Sequence, residues 1–485
     1  MSPSNRISRR TAIAATGAGL VAAHSAFSQS AAAKPNIVYI MADDMGYADV
    51  SCYGRKEYQT PNIDSLARDG MKFLQGYANS AVCTATRVAL MTGRYQYRLP
   101  VGLEEPLPSA GARDIGLPPE HPTIPSLLKK VGYSTSLVGK WHLGWLPKYS
   151  PALSGFDHFW GIRSGGVDYF THKSGIASTD SLDLWDGDTK VDQAGYLTEL
   201  LGDRVVKEIQ TYAAQKKPFY ISACFTAPHW PWEGPGDEAE SKRLPAIAAY
   251  DSGTMKTYAE MVVSLDKQVG KILAALQRAG VANNTIVVFT SDNGGERFSY
   301  TWPFSGRKQE LLEGGLRIPL LVRWPGKIAK GSTTQQVAMT MDWLPTFVEA
   351  AGGQQDPAYP SDGMSLLKTF AGAAPVSRRL YWRYKFNQQR AMRDGDMKYL
   401  KVRDNTFLFN VVNDPLERAN WKNREPDVFK RMEQSWEEWE TTMLPIDPLS
   451  SSSGNGPAQN PDRPGNTPPG GPPAQGKQLK GKGKQ

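Results

Sequence analysis

Asn36-Ile37-Val38-Tyr39-Ile40-Met41 runs directly into Ala42-Asp43-Asp44, and the same pattern recurs three times along the chain. Tyr133-Ser134-Thr135-Ser136-Leu137-Val138 leads into Gly139-Lys140-Trp141-His142. Phe219-Tyr220-Ile221-Ser222-Ala223-Cys224-Phe225 leads into Thr226-Ala227-Pro228-His229, and Thr285-Ile286-Val287-Val288-Phe289 into Thr290-Ser291-Asp292-Asn293-Gly294-Gly295. These runs do not alternate apolar with polar, so they read as strands covered on both faces, as in a parallel sheet flanked by helices. Helical periodicity lies between them, over 124–131, 200–213 and, longest, 255–278. Alternating strands and helices predict an α/β layered fold with crossover connections. In such sheets ligands bind at the carboxyl ends of the strands, so Asp43, Asp44, Lys140, His142, His229, Asp292 and Asn293 are predicted to share one edge.

Beyond about residue 375 the texture changes. Segments 381–386, 397–402 and 406–409 are short and alternating, joined by turns such as Asp394-Gly395, and predict a small antiparallel sheet with an amphipathic helix over 427–442. At the front, Ser8-Arg9-Arg10-Thr11 precedes a mildly apolar run and a small-residue region, which together resemble a twin-arginine export signal. At the back, a Ser-, then Pro/Gly/Lys-rich stretch predicts a disordered tail. The expected organisation is therefore an export signal over 1–33, a main domain over 34–375, a small α+β subdomain over 376–448 and a tail over 449–485.

Of 485 residues 40% are hydrophobic and 21% charged, enough for a sizeable core, and no apolar run is long enough to span a bilayer. The net charge of +8 resides in the ends: residues 1–33 carry +3 and 449–485 carry +4, leaving +1 for the body. The basic balance is thus no argument for nucleic-acid binding. Cys52, Cys83 and Cys224 are too few for a disulfide framework and lack zinc-site spacing; Cys52 and Cys224 read as unpaired and buried.

Asp43, Asp44, Asp292 and Asn293 are hard oxygen ligands at two strand ends, a set that favours Ca²⁺ or Mg²⁺ over zinc. Cys83-Thr84-Ala85-Thr86-Arg87-Val88-Ala89-Leu90-Met91-Thr92-Gly93-Arg94 reads as a short helix with the cysteine in its first turn, Arg87 on the same face and Gly93 as C-cap. From these residues alone, Cys83 is either a thiolate nucleophile or a buried thiol.

This last segment resembles the sulfatase signature, Cys-x-(Pro or Ala)-x-Arg followed by Thr-Gly-Arg. The body from about Lys34 to Pro445 is similar to the same family through Gly139-Lys140-Trp141-His142-Leu143-Gly144, Ala227-Pro228-His229, Ser291-Asp292-Asn293-Gly294-Gly295, and Gly306-Arg307-Lys308 before Glu313-Gly314-Gly315. Later matching pieces are Asp342 with Pro345-Thr346, Asp362-Gly363, and Asp414-Pro415 with Glu417. The resemblance implies an alkaline-phosphatase/sulfatase-like fold, a large mixed, mainly parallel sheet with the small C-terminal sheet and helix. It implies sulfate-ester hydrolysis through a formylglycine made by oxidation of Cys83, and one divalent cation, Ca²⁺ rather than Mg²⁺, on Asp43, Asp44, Cys83, Asp292 and Asn293. Arg87 and His142 would hold and activate the nucleophile. Lys140, His229 and Lys308 would bind the sulfate, with His229 protonating the leaving oxygen.

The implied partners are a small or glycan sulfate ester, a maturation enzyme that makes formylglycine, and the export machinery, with the protein periplasmic or extracellular. Two other readings share these residues: a phosphate or phosphonate ester hydrolase, and a sulfated-glycan binding protein in which Cys83 stays a thiol. Ala85 and Thr86 stand where proline and serine are commoner in the family. Asp168-Tyr169-Phe170 with His172 resembles a substrate loop of glycan-directed members. Trp141, Trp145, Trp160, Trp230 and Trp232 are either a sugar-stacking rim or packing beneath loops. Lys308→Ala is expected to cost turnover without harming folding, as an exposed cation would, and deletion of 450–485 is expected to be silent.

Overall fold

The computed structural model describes residues 33–108, 113–174, 181–243 and 253–453. The export signal and the tail beyond Ser453 lie outside the described residues. A ten-stranded sheet forms the centre, from β1 (Asn36–Ala42), β2 (Met71–Phe73), β3 (Ser134–Gly139), β4 (His158–Gly161), β5 (Trp185–Asp186) and β6 (Thr189–Lys190). The rest are β7 (Phe219–Cys224), β8 (Thr285–Ser291), β9 (Leu320–Arg323) and β10 (Ser332–Thr334). Their order is β10-β2-β9-β8-β1-β7-β3-β4-β5-β6. The middle five, β8-β1-β7-β3-β4, are parallel, while β9 and β5 run antiparallel to their inner neighbours.

The unbroken apolar runs are explained by two cores, one on each face. Helices α1 (Pro61–Arg68), α2 (Cys83–Thr92), α3 (Ile124–Lys130), α4 (Leu197–Ala214), α5 (Met255–Arg278) and α6 (Trp343–Ala350) divide between them. Val38 and Ile40 of β1 pack with Leu66, Val205 and Leu265, on the side of α1, α4 and α5. Ile37, Tyr39 and Met41 pack with Val88, Leu128 and Phe347, on the side of α2, α3 and α6. Every residue of β1 is buried, so no position in it tolerates the solvent-facing polar residue of an amphipathic strand.

The strand register levels the ends. Met41 pairs with Cys224, Cys224 with Gly139, and Ala42 with Ser291. The residues that follow these partners therefore leave the sheet side by side, as the sequence predicts.

The C-terminal part is an antiparallel meander of β11 (Arg379–Tyr384), β12 (Gln389–Asp394), β13 (Met397–Val402) and β14 (Asn405–Asn410), followed by α7 (Pro426–Glu440). The sequence reading lacked β12, whose run Gln-Arg-Ala-Met-Arg-Asp has two apolar residues. It is an inner strand with both faces covered: Ala391 joins the cluster containing Val82, Cys83 and Ala85, and Met392 joins Phe429, Met432 and Trp436 of α7. The small sheet is thus packed directly on the start of α2. A buried ion cluster binds it further, with Glu313 accepting from Arg317 Nε (2.6 Å), Lys398 Nζ (2.9 Å) and the Tyr77 hydroxyl (2.6 Å), and Lys398 also on Glu417 (3.0 Å). Burial would raise the Glu313 carboxyl, but Lys398 and Arg317 outweigh it and hold the group well below the carboxylate range.

The boundary expected at residue 449 is corrected. Ser450–Ser453 form a strap held by polar contacts rather than apolar burial, which is why composition did not show it. The Ser451 amide donates to Glu104 Oε2 (2.9 Å), the Ser452 hydroxyl to Glu105 Oε2 (2.8 Å), and Tyr384 and Gln309 Nε2 to the Ser453 carbonyl and hydroxyl (2.8 Å each). Burial pushes Glu105 up to about 7 against the donors from Lys385 and Ser452. A carboxyl raised in the folded state favours folding while protonated, so this contribution is full below the ordinary glutamate range and lost as pH rises through about 7. Glu105→Gln should therefore melt above wild type at pH 8, by on the order of 3 kcal/mol, and close to it at pH 5, in thermal melts at the two pH values. Ending the chain at Leu449 should lower the melting point, whereas ending it at Ser453 should not, so the silent deletion expected for 450–485 is withdrawn.

Candidate active site

The level strand ends bring together all ten residues singled out from the sequence. Asp43, Asp44, Cys83, Arg87, Lys140, His142, His229, Asp292, Asn293 and Lys308 are each at most 5% exposed. Asp44 and His142 sit in the left-handed region (φ 62 and 55), backbone strain of the kind that concentrates at functional sites. The Asp44 amide donates to Asp292 Oδ1 (3.2 Å), and Asn293 Nδ2 to Asp44 Oδ1 (2.8 Å). Lys308 Nζ lies 2.6 Å from Asp44 Oδ2, and Lys140 Nζ 2.5 Å from Asp43 Oδ2. Arg87 spans from α2 to two strand ends, donating to Asp292 Oδ2 (2.9 Å) and the Lys140 carbonyl (3.0 Å). Gly139 lets β3 end here, since a Cβ on it would stand 1.9 Å from the Cys224 carbonyl oxygen.

Both histidines have assigned tautomers. His142 Nε2 faces the Leu107 carbonyl at 3.2 Å, so it carries the proton and leaves Nδ1 as an acceptor 3.4 Å from Cys83 Sγ. His229 Nδ1 donates to the Trp230 carbonyl, which turns Nε2 towards Asp44 Oδ2 at 3.5 Å. Burial lowers both imidazoles well below their ordinary value. Lys140 and Arg87 add to that at His142, while at His229 Asp44 opposes it and Lys308 and Lys140 reinforce it. Burial also raises the Cys83 thiol, only partly offset by Lys140 and Lys308. For Asp44 burial is outweighed by Lys308, His229 and Lys140, which hold it at about 2.

The site fits a hard cation. Asp43 Oδ1 and Asn293 Oδ1 are buried oxygens without a hydrogen-bond partner, and Asp43, Asp44 and His229 present ligand atoms within 4.8 Å of one another. Partnerless buried oxygens beside clustered carboxylates are what an oxygen-ligated divalent cation satisfies.

Lys308 corrects one expectation. It is buried against Asp44, so Lys308→Ala removes the partner of a buried carboxylate, and a folding-neutral outcome no longer follows. In the Asp168–His172 segment, Asp168 accepts from the Phe170 and Thr171 amides (2.9 and 2.7 Å) and the Ser241 hydroxyl, and His172 lies against the Gly195 carbonyl (3.1 Å). Of the tryptophans, Trp141, Trp160 and Trp232 are core packing; Trp145 and Trp230 are partly exposed, Trp230 with its ring centre 4.9 Å from that of His229. Cys224 is buried as expected, but Cys52 is only half-buried.

The sequence reading missed the residues that hold the histidines. Tyr169 donates its hydroxyl to the His229 carbonyl (2.9 Å), and Thr84 Oγ1 accepts from the Leu107 amide (3.0 Å), anchoring the loop that bonds His142. Gly165 and Gly166 pass against both rings: a Cβ on Gly165 would stand 2.7 Å from His142 Cε1, and one on Gly166 3.1 Å from His229 Cε1. The Gly-Gly pair was the available signal.

The sulfatase profile matches residues 35–353 of this chain. The chain belongs to the sulfatase family. A profile for the N-sulphoglucosamine sulphohydrolase C-terminal region matches residues 304–441 of the sulfatase. The sulfatase is 30% identical to arylsulfatase J of Mus musculus, over 87% of this chain and 79% of that one. It is 32% identical to N-acetylgalactosamine-6-sulfatase of Rattus norvegicus, over 75% and 71%. Its fold matches the crystal structure of Ps i-CgsB in complex with k-i-k-neocarrahexaose with a TM-score of 0.78 and 30% identity, over 87% of this chain and 95% of that one. The sulfatase is a sulfuric ester hydrolase. Its glycine pair gives a direct check: Gly165→Ala should displace the His142 ring, lowering kcat on 4-nitrophenyl sulfate about tenfold or more with the melting point within a few degrees of wild type.

Proposed function

We propose that this sulfatase hydrolyses sulfate monoesters of a sulfated carbohydrate, using a formylglycine formed from Cys83 and a divalent cation, Ca²⁺ rather than Mg²⁺. The observation that carries the reading is the wall of buried charge around Cys83: three carboxylates, three fixed cations and the acceptor nitrogen of His142. A buried thiol raised above its ordinary value is protonated at neutral pH and a weak nucleophile, so the oxidised residue is the reactive one. Asp43, Asp44, Asp292 and Asn293 would hold the cation. The cation would lower the pKa of a hydroxyl at residue 83, and the oxidised side chain would supply a second hydroxyl for release of sulfate.

The chain's own residues do the rest. His142 Nδ1, fixed as an acceptor, takes the proton from the hydroxyl at position 83. Arg87 pins α2 to the strand ends and so fixes the position of residue 83 relative to them. Lys140 and Lys308 receive the sulfate oxygens, a charge-assisted interaction that strengthens as negative charge develops. A bound sulfate monoester also offsets the lysines that reinforce burial in holding His229 neutral, so Nε2 can carry the proton delivered to the leaving oxygen. The carbohydrate preference draws on the similarity to N-acetylgalactosamine-6-sulfatase and to Ps i-CgsB, whose complex holds a neocarrahexaose.

Export to the periplasm or beyond, through a twin-arginine route and after a maturation enzyme has acted, is supported by the Arg9-Arg10 leader. No helix among the described residues is long and apolar enough to cross a membrane.

Mass spectrometry of the tryptic peptide Phe73–Arg87 from protein made in its native host should show the Cys83 sulfur replaced by an aldehyde oxygen. An intact thiol in active protein would overturn the nucleophile. Chelation should abolish turnover of 4-nitrophenyl sulfate, with Ca²⁺ restoring it better than Mg²⁺; faster turnover of 4-nitrophenyl phosphate than of the sulfate would favour the phosphohydrolase reading.

A further inference from the structure

Outside the catalytic centre, the turns of the small sheet and the C-terminal strap line an open cleft of about 580 Å³. That volume lies within the range of small-ligand sites, about 300–1,000 Å³. Its lining mixes the Phe386 ring with polar groups from Lys385, Asn387, Gln388, Arg403 and the strap serines, and Asp404 is the one carboxylate among these residues. Lys385 Nζ is held by the carbonyls of Asp447 (3.0 Å), Pro448 (2.9 Å) and Ser450 (2.6 Å). Carbonyl dipoles satisfy its hydrogen bonds but do not cancel its charge, so the lining carries a net positive charge.

Three of these residues sit in the left-handed region: Asn387 (φ 59), Gln388 (φ 47) and Arg403 (φ 53). Asparagine adopts it readily, but glutamine and arginine do so at a cost of roughly 1 kcal/mol each. Arg403-Asp404 is the two-residue loop between β13 and β14, where Val402 pairs with Asn405. Asn-Gly or Asp-Gly is the favoured chemistry for such a loop. Here the chain keeps a guanidinium instead, and orients it: Arg403 Nε and Nη2 both donate to Asn387 Oδ1 (3.1 and 2.7 Å), and the Arg403 amide to the Asn387 carbonyl (2.9 Å). An aligned guanidinium kept at a strained loop position is better suited to recognising a ligand than to folding.

Hydrogen bonds between neighbouring residues tie this cleft to the catalytic centre. Gln389, next to Gln388, donates from Nε2 to the carbonyl of Gln309 (2.9 Å), the neighbour of Lys308. The Lys385 amide and the Ser452 hydroxyl both donate to Glu105 Oε2 (2.8 Å each), two residues before the Leu107 carbonyl that orients His142.

We propose that this cleft is a second anion subsite, taking a sulfate-bearing sugar unit of a chain whose scissile sulfate lies between Cys83 and Lys308, with Arg403 and Asn387 as the recognising groups. A planar guanidinium pairs with a sulfate through two parallel N–H bonds, which gives direction as well as affinity. The inference rests on the glycan sulfatase reading above.

Arg403→Gly tests it cleanly, because glycine accepts φ 53 without strain and the substitution removes the charge while relaxing the turn. Binding of a heparin-derived and a carrageenan-derived hexasaccharide is measured by calorimetry in the full chain carrying Cys83→Ala, so that neither is consumed. Arg403→Gly should weaken the binding of at least one about tenfold, leave a desulfated hexasaccharide unaffected, and keep the melting point at or above that of the parent. In the matured enzyme the same substitution should leave kcat/KM for 4-nitrophenyl sulfate unchanged. Hexasaccharide affinities that ignore Arg403, no binding of either hexasaccharide, or an equal effect on the desulfated chain would each overturn the subsite. If matured wild-type protein fails to hydrolyse 4-nitrophenyl sulfate, it is the catalytic reading that falls, and the two failures are thereby told apart.

Discussion

Three carboxylates, Asp43, Asp44 and Asp292, are buried together at the ends of two neighbouring strands, and the arrangement of the molecule follows from the need to balance them. Two like charges about 4 Å apart repel by about 4 kcal/mol at an effective dielectric constant of 20, so the cluster stands only with cations facing it. Arg87, Lys140 and Lys308 arrive from a helix, a strand end and a loop that are far apart in sequence, and each is held by one of these carboxylates. The acids thereby position the bases. On the proposed reading, a sulfate approaching Lys140 and Lys308 would meet groups whose directions are already fixed, which is the condition for electrostatic stabilisation without reorganisation.

The C-terminal sheet extends that constraint. It supplies part of the apolar bed beneath the start of α2, and its Lys398 enters the Glu313 cluster from below. Several family motifs far from the strand ends act in the same way. Asp342 takes Arg378 (2.6 Å), and Asp362 takes Arg98 through two nitrogens (2.7 and 2.8 Å). Asp414 receives the Arg418 and Ala419 amides (2.7 Å each). These residues fasten one part of the chain to another and touch none of the reacting groups.

This division also explains what the sequence disclosed. The sheet was legible because strands with a core on each face leave unbroken apolar runs, and seven of the ten candidate site residues because they follow those runs directly, whereas Cys83, Arg87 and Lys308 entered with the family resemblance. α5 was recovered to the residue from its periodicity alone, and the structure adds its Thr254 cap, whose hydroxyl accepts from the Thr257 amide. What stayed hidden depends on distant partners. β12 is polar because its neighbours and α7 provide the cover, and the strap is polar because its serines bond Glu104 and Glu105 some 345 residues earlier. Lys308 looked like a surface cation because nothing near it in sequence reveals that Asp44 lies across from it. The glycines at 165 and 166 are informative only once the rings they pass against are known.

All ten residues of α2 are buried, Cys83 among them at 2% exposure, with the small sheet on one side and the main sheet's helical layer on the other. A second protein cannot lay its own active site over a residue enclosed in this way. If Cys83 is oxidised as proposed, the oxidising partner competes against the clock of folding and must finish while α2 is still a loose segment. On that reading a molecule that closes too soon is sealed with its thiol inside, correctly shaped but without its nucleophile. The yield of working enzyme is then set by the relative speeds of two processes in the newborn chain, and changes that hasten the docking of α2 should lower it.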